Sequence, residues 1–201
     1  MGDLEGKVAV VTGASGSIGG AVAWSYAREG AKVILTARSL DKIEDIANKM
    51  SLEGLEAIAV KTDLTSEESV NSMVSQGVKA FGGIDILANI HAAMGPDGIQ
   101  LDGQYDILEV PMECFELMMK TNVWGYLYTM RAAVPEMLKR GKGSIINTSS
   151  GCWSYGSPVR GSYAATKGAI NAMSMHVATA YGKLGIRCNV VVPGNVKNDF
   201  T

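Results

Sequence analysis

Residues 7–29 read Lys-Val-Ala-Val-Val-Thr-Gly-Ala-Ser-Gly-Ser-Ile-Gly-Gly-Ala-Val-Ala-Trp-Ser-Tyr-Ala-Arg-Glu, and they determine the predicted fold. The apolar run 7–12 is typical of a strand that is buried on both faces of a parallel sheet. A helix-like pattern follows from Ala21 to Glu29 and stops at Gly30. Glycines between a strand and a helix let the backbone approach a phosphate, and the helix start offers free N–H groups. The stretch predicts a strand–loop–helix phosphate site, and a purely structural tight turn is the alternative.

The composition restricts the class of protein. A chain of 201 residues has room for one α/β domain with a sizeable core, and 24 Gly with only 6% aromatic residues suit close helix-on-sheet packing. The net charge of −2 gives no indication of nucleic acid or of an anionic membrane as a partner. No apolar run is long enough for a membrane span, and we predict a cytoplasmic protein without a secretory signal. Cys114, Cys152 and Cys188 lack metal-ligand spacing, so we expect free thiols and no metal site.

Further strand-like and helix-like segments alternate along the chain. We predict strands at 32–38, 57–61, 84–89, 144–148 and 187–192, and helices at about 40–51, from Thr65 to Phe81, at 111–139 and at 163–182. This alternation predicts a single doubly wound domain spanning residues 1–201, with a parallel sheet covered by helices on both faces. Segment 93–110 is predicted to be a Gly-rich loop that follows a central strand and forms a pocket rim.

The sequence Tyr163-Ala-Ala-Thr-Lys167 predicts a proton donor, because residues four apart share one face of a helix. The ammonium favours the phenolate, so we expect the pKa of Tyr163 to fall from about 10 towards working pH. Such a phenol can exchange a proton with an alcohol oxygen. Ser150 lies thirteen residues upstream, where the strand 144–148 would present its hydroxyl at the carboxyl edge of the sheet. A Tyr-x-x-x-Lys pattern alone is most often a solvated helix face. The prediction therefore depends on its combination with Ser150 and the glycine-rich stretch.

Together, the glycine-rich stretch and the Ser…Tyr-x-x-x-Lys set resemble the short-chain dehydrogenase/reductase family. The resemblance implies a Rossmann fold with strand order 3-2-1-4-5-6 and hydride transfer between a nicotinamide dinucleotide and a small carbonyl or secondary-alcohol substrate. It implies that Tyr163 is the general acid or base, that Lys167 lowers its pKa and bonds the nicotinamide ribose, and that Ser150 bonds the substrate oxygen. Asn122, in Lys120-Thr-Asn-Val-Trp-Gly125, would anchor a relay water.

The resemblance also implies a dinucleotide site along the strand ends. Its predicted residues are Gly13, Ser15, Gly16, Ser17, Ile18, Arg38, Asp63, Leu64, Asn89, Tyr163, Lys167, Pro193, Gly194 and Val196. NADP(H) is favoured over NAD(H), since an acidic residue after the second strand would bond the ribose 2′-hydroxyl, whereas Arg38 can pair with a 2′-phosphate. The alternative for Arg38 is a solvated strand-end charge. Asp63, which would cap the adenine, can equally be a loop residue before a helix start.

The chain departs from the family pattern at several places. Ser17 stands where the middle glycine is expected, and this spacing resembles the extended branch that contains epimerases and dehydratases; 201 residues leave little room for the second lobe of that branch. Residues 90–92 are Ile-His-Ala in place of Asn-Ala-Gly, and we expect His91 to line the pocket structurally. Asn198 replaces the usual threonine.

Three further expectations follow. Trp153 and Tyr155 would form an apolar pocket wall for a ring or alkyl substrate. We expect neither the family's lid helices nor its seventh strand within the 201 residues. Helices 111–139 and 163–182 would build a homodimer or homotetramer, as in relatives. The rival function is a nucleotide-binding sensor or interaction protein with weak catalysis, and a nucleotide-sugar epimerase or dehydratase is the third option.

Overall fold

The structure of the protein is a computed structural model that describes residues 2–194 and residue 196. Asn198 lies outside the described residues. The described part of the chain forms one parallel sheet of six strands in the order β3-β2-β1-β4-β5-β6, so the predicted fold class and strand order are confirmed. The strands are β1 Val8–Thr12, β2 Lys32–Ala37, β3 Ala57–Lys61, β4 Ile86–Asn89, β5 Gly143–Thr148 and β6 Ile186–Val191.

Seven α-helices alternate with these strands in the described residues. They are α1 Ser17–Arg28, α2 Leu40–Leu52, α3 Glu67–Phe81, α4 Ile99–Asp102, α5 Met112–Met118, α6 Gly125–Lys139 and α7 Gly161–Tyr181. Helix α1 begins four residues before the predicted position, inside the glycine stretch. A Cβ at Gly19 would lie 2.2 Å from the Gly13 carbonyl oxygen, so glycine at this position lets the helix start directly against the strand end.

Two predicted segments differ in the structure. The helix predicted at 111–139 is divided by a π-helical segment, Met119–Trp124, whose buried residue is Asn122. Segment 93–110 is not a loop throughout, because it contains α4. Helix α7 begins two residues early, directly after Arg160, whose φ of 68° is the positive non-glycine φ in the described chain.

The core consists of two apolar layers, one on each face of the sheet. Alternation along β1 sends Val8 and Val10 to the layer shared with α3, α6 and α7, and sends Ala9 and Val11 to the layer shared with α1 and α2. All six strands run in the same direction, so their carboxyl ends meet at one edge. None of the helices in the described residues has the length and apolar character needed to cross a membrane.

Candidate active site

A crevice of about 950 Å³ lies at the carboxyl edge of the sheet. The structure brings fourteen of the predicted residues to its lining: Gly13, Ser15, Gly16, Ser17, Ile18, Arg38, Asp63, Leu64, Ser150, Tyr163, Lys167, Pro193, Gly194 and Val196. The remaining two predicted residues, Asn89 and Asn122, are fully buried beneath it. Trp153 and Tyr155, the predicted pocket wall, are exposed and do not line this crevice.

The glycine loop between β1 and α1 has the geometry of a phosphate cradle. Gly13 adopts φ 67°, and a Cβ there would lie 3.0 Å from the His91 Cα. Gly16 caps α1 without a side-chain hydrogen bond, and the first turn holds no acidic residue. The first N–H groups of α1 and the positive end of its dipole are thus available to an anion. The Ser17 side chain is exposed, so the departure from the family glycine does not crowd the loop.

The far end of the crevice carries one cation and one carboxylate. Arg38 follows the buried Ala37 at the end of β2; it is exposed and forms no ion pair within residues 2–194 and 196. The Asp63 carboxylate accepts hydrogen bonds from the Thr65 N–H at 2.9 Å and from the Thr65 hydroxyl at 2.7 Å. Ser66 then caps α3 by accepting from the Ser69 N–H at 3.2 Å. Asp63 therefore shapes the turn before α3 and also lines the crevice.

Tyr163 and Lys167 lie on neighbouring turns of α7, as their spacing predicts. The Lys167 ammonium is buried and donates to the Thr148 carbonyl at 2.8 Å, at the end of β5. Its nitrogen lies 5.3 Å from the ring centroid of Tyr163 and 5.4 Å from that of Tyr126. The cation is thus held between two aromatic rings and one carbonyl, which is a geometry that stabilises an ammonium out of water.

The pKa values of this pair differ from the prediction. Burial raises the pKa of Tyr163 to about 12, with a further increase from Cys152, whereas the Ser150 hydroxyl and the Arg160 charge act to lower it. The expected fall of the Tyr163 pKa is wrong, because the effect of burial outweighs the effects that lower it. Burial lowers the pKa of Lys167 to about 8, against a smaller opposing effect of Cys152. Tyr163 is therefore a neutral phenol at pH 7 and can donate a proton.

Ser149 and Ser150, which follow β5, make different contacts. The buried Ser149 donates to the Lys167 carbonyl at 3.2 Å and so attaches the strand end to α7. Ser150 is half-buried and lines the crevice, where its hydroxyl interacts with Tyr163. The structure accordingly places Ser150, rather than Ser149, beside the phenol.

The two buried asparagines hold the elements around the crevice. The Asn122 side chain accepts from the Ala93 N–H at 2.8 Å and donates to the Thr166 hydroxyl at 3.1 Å, so it links the π-helical segment to α7. The Asn89 amide donates to Asn147 at 2.9 Å and accepts from Thr129 at 2.9 Å. The Asn89 side chain is thus engaged within the core and is not among the residues that line the crevice.

His91 packs against the buried ring of Tyr126, which also contacts the Lys167 ammonium. Sequence patterns did not single out Tyr126. The Thr121 carbonyl can only accept, so His91 carries its proton on Nε2 and donates to it at 3.2 Å, while Nδ1 accepts from the Thr12 hydroxyl at 2.7 Å. Burial, followed by the Lys167 charge, lowers the pKa of His91 to about 3. The ring is therefore neutral; it lines the crevice, as expected, and both of its nitrogens are bonded within the protein. The only signal for Tyr126 was its position four residues after Asn122 on a helix.

The lowered pKa of Lys167 makes a stability prediction. The pKa is about 8 in the folded chain and 10.5 without burial, so the unfolded chain binds the extra proton between these pH values. Folding stability contributed by this group must then rise with pH in that window and be lost as pH falls through 8. We expect the free energy of unfolding of the wild type, relative to Lys167→Met, to increase by roughly 1–2 kcal/mol between about pH 8 and about pH 10.

Urea unfolding of both proteins across this pH range measures the difference, and groups common to both cancel. A difference that stays constant with pH would show that Lys167 is not desolvated in the folded chain.

Comparisons with known proteins agree with the geometry. The family model described as short chain dehydrogenase matches residues 7–201. The chain is similar to 2,5-dichloro-2,5-cyclohexadiene-1,4-diol dehydrogenase LinX of Sphingobium indicum, with 32% identity over 98% of this chain and 76% of the relative. It is also similar to uncharacterized oxidoreductases of Mycobacterium tuberculosis, at 37% identity over 98% of this chain and 77% of the relative, and of Staphylococcus aureus, at 33% over 98% and 81%. Since the family match extends from β1 through the whole of the described sheet, the chain belongs to the short-chain dehydrogenase family.

Proposed function

We propose that the protein is an NADP(H)-dependent oxidoreductase that interconverts a carbonyl and a secondary alcohol. The observation that carries the proposal is the shared crevice, in which Ser150, Tyr163 and Lys167 lie on the same lining as the uncapped start of α1. A dinucleotide bound there would supply the hydride, and the protein would supply orientation and proton transfer. A sensor without catalysis has no chemical need for the three side chains together.

The proposed proton chemistry follows from the pKa of Tyr163. Because burial raises the pKa of Tyr163 to about 12, the phenol holds its proton at neutral pH and donates it to the substrate oxygen during reduction. The Ser150 hydroxyl, which interacts with Tyr163, holds the same oxygen in place. In the oxidative direction the phenolate must form, and the neighbouring Lys167 cation favours it.

Lys167 and Asn122 support this exchange in the proposal. Lys167 keeps one donor on the Thr148 carbonyl, which leaves its other protons for a ribose hydroxyl. Asn122 connects Ala93 to Thr166 on α7, one turn after Tyr163, and its proposed role is to anchor the water that exchanges protons with Lys167. The fixed side chain keeps the π-helical segment beside the lysine.

The proposed preference for NADP(H) rests on the end of β2. Ala37 offers no carboxylate to a ribose 2′-hydroxyl, and the exposed Arg38 faces the crevice without an ion pair in the described chain. A guanidinium of this kind pairs with a 2′-phosphate through charge-assisted hydrogen bonds.

The proposed substrate class is a compact ring ketone or ring alcohol. The relative LinX is named for dehydrogenation of a cyclic diol. The exposed Met94 lines the same crevice as Tyr163 and offers apolar surface there. We therefore choose phenanthrenequinone, a flat and reactive diketone, as the probe for reduction by NADPH.

Self-association through α5–α6 and α7 is also part of the proposal. Trp124 ends the π-helical segment between α5 and α6, Leu127 lies on α6 and Met175 lies on α7. Their exposed fractions are 43%, 38% and 66%. Large apolar side chains exposed on packed helices favour burial against another copy.

Replacing Tyr163 with phenylalanine tests the catalytic proposal. We expect Tyr163→Phe to lower kcat with phenanthrenequinone at least about a hundredfold, since positioned proton transfer contributes roughly that much or more. NADPH binding, followed by fluorescence titration, should stay within about threefold, because the phenol hydroxyl is not its main anchor. Tyr181→Phe, at the far end of α7, is the matched control. A wild type that binds NADPH and reduces no ketone would favour the sensor instead.

Replacing Arg38 tests the cofactor preference. We expect Arg38→Gln to weaken NADPH binding roughly tenfold to a hundredfold, because a charge-assisted pair contributes about 1.5–3 kcal/mol. The dissociation constant of NADH should not change. Arg28→Gln is the control, because Arg28 is an exposed arginine at the end of α1 that pairs with Glu53. Equal effects on both cofactors, or none, would exclude the proposed 2′-phosphate contact.

Light scattering tests self-association. We expect the mass of two or four chains, and we expect the double substitution Trp124→Glu and Leu127→Lys to reduce it, because both introduce charge into the proposed apolar contact. Leu52→Lys alters an exposed leucine on α2 and should leave the mass unchanged. A wild-type mass of one chain at micromolar concentration would refute the proposal.

A further inference from the structure

Asp102, which sequence patterns did not single out, attaches itself to the start of the helix that carries Tyr163. Its carboxylate accepts from the Tyr163 N–H at 2.8 Å and from the Ser162 N–H at 3.3 Å. Its own carbonyl accepts from the Arg160 N–H at 3.1 Å. The side chain is fully buried, and within residues 2–194 and 196 it forms no ion pair. The two carboxylate oxygens and the backbone carbonyl of Asp102 thus all accept N–H groups at the start of α7.

Helix α7 has no cap of its own. Arg160 precedes the helix in a left-handed conformation and makes no side-chain cap bond, and the first turn contains no acidic residue. The first N–H groups of a helix lack intrahelical partners, and a negative charge there is favourable. Asp102 supplies both the acceptors and the charge from a segment about sixty residues earlier in the chain.

The segment that carries Asp102 is itself fixed to the site. The Ile99 N–H donates to the Ala93 carbonyl at 2.9 Å, and the Ala93 N–H donates to Asn122 at 2.8 Å. Asn122 in turn bonds Thr166. The first two turns of α7 are therefore held at two points, one at Tyr163 and one at Thr166, by elements that lie between β4 and α6.

We propose that Asp102 is a positioning residue for the reaction, because it fixes the backbone of Tyr163 and so directs the phenol towards Ser150 and Lys167. This inference rests on the proposed function for its catalytic consequence. The geometric part stands apart from it, since the two N–H groups are held whether or not the protein turns over a substrate.

The position of Lys167 indicates how loss of the Asp102 carboxylate should affect catalysis and cofactor binding. It lies one turn further along α7 and is held independently by the Thr148 carbonyl. Loss of the Asp102 carboxylate should therefore displace Tyr163 more than it displaces the lysine. The rate of proton transfer should fall while cofactor affinity is retained, because misplacement of a catalytic group by about 1 Å can cost a hundredfold in rate.

Amide hydrogen exchange tests the attachment without any substrate. In Asp102→Ala and Asp102→Asn, the N–H groups of Ser162 and Tyr163 should exchange roughly tenfold to a hundredfold faster than in the wild type, as expected for loss of hydrogen bonds to a charged acceptor. The Ala164 N–H, which bonds the Arg160 carbonyl within the helix, is the internal reference. Unchanged exchange at residues 162 and 163 would overturn the proposal.

Turnover of phenanthrenequinone with NADPH tests the consequence. Per NADPH-binding site, kcat should fall roughly tenfold to a hundredfold in Asp102→Ala, and Asp102→Asn, which retains one acceptor oxygen, should be intermediate. The dissociation constant of NADPH should stay within about threefold. Asp85→Asn is the matched control, because Asp85 is also a buried carboxylate that accepts a backbone N–H, from Val8 at 2.9 Å, but it lies at the opposite edge of the sheet.

Each outcome decides the proposal. Wild-type kcat per site in Asp102→Ala, or an equal loss in Asp85→Asn, would mean that Asp102 acts only on stability and would overturn it. If Asp102→Ala does not fold, Asp102→Asn decides by the same criteria. If the wild type itself reduces no quinone, the proposed function fails, and the exchange rates at residues 162 and 163 alone decide whether Asp102 holds Tyr163.

Discussion

The burial of the Lys167 ammonium costs desolvation free energy, and the rest of the site is arranged to offset that cost. Transfer of a cation out of water is unfavourable unless donors and charges are satisfied, and here the described partners are one carbonyl, at 2.8 Å, and two aromatic rings. The end of β5 and the start of α7 must therefore keep a fixed separation. Burial lowers the pKa of Lys167 to about 8, which is the direction expected for a desolvated ammonium.

A network of buried amides below the crevice maintains that separation. Asn89 and Asn147 are paired across β4 and β5, and the Asn147 amide continues to Ser174 on α7 at 2.9 Å. Thr129 joins the same network from α6. Such groups are stabilising only when every donor and acceptor has a partner, so the two strands and two helices are constrained to one register. The same network therefore fixes the positions of the strand ends and helices that surround the crevice.

The sequence predicted the parts of the molecule that depend on local patterns. The strands and the strand order follow from apolar runs and a family resemblance, and the glycine loop, Ser150, Tyr163 and Lys167 all reach one crevice. What the sequence did not predict depends on distant pairs.

The raised pKa of Tyr163 results from burial that only the packed structure creates. The inward side chain of Asn89 is explained by Asn147, 58 residues later, and the role of Asp102 by Tyr163, 61 residues later. No sequence periodicity indicates such contacts, because they form only when the helices pack against the edge of the sheet.

The charge of the crevice also depends on the packed structure. The chain has a net charge of −2, yet Arg38, Lys167 and the positive end of α1 face the crevice. The Asp63 carboxylate also lines it but already accepts hydrogen bonds from Thr65. His91 stays neutral since a second buried cation beside Lys167 would add to the desolvation cost. Within residues 2–194 and 196, Lys167 has a carbonyl and two aromatic rings as partners but no carboxylate. An anionic ligand in this crevice would add the opposite charge, and a ligand that binds only the folded chain would stabilise that chain.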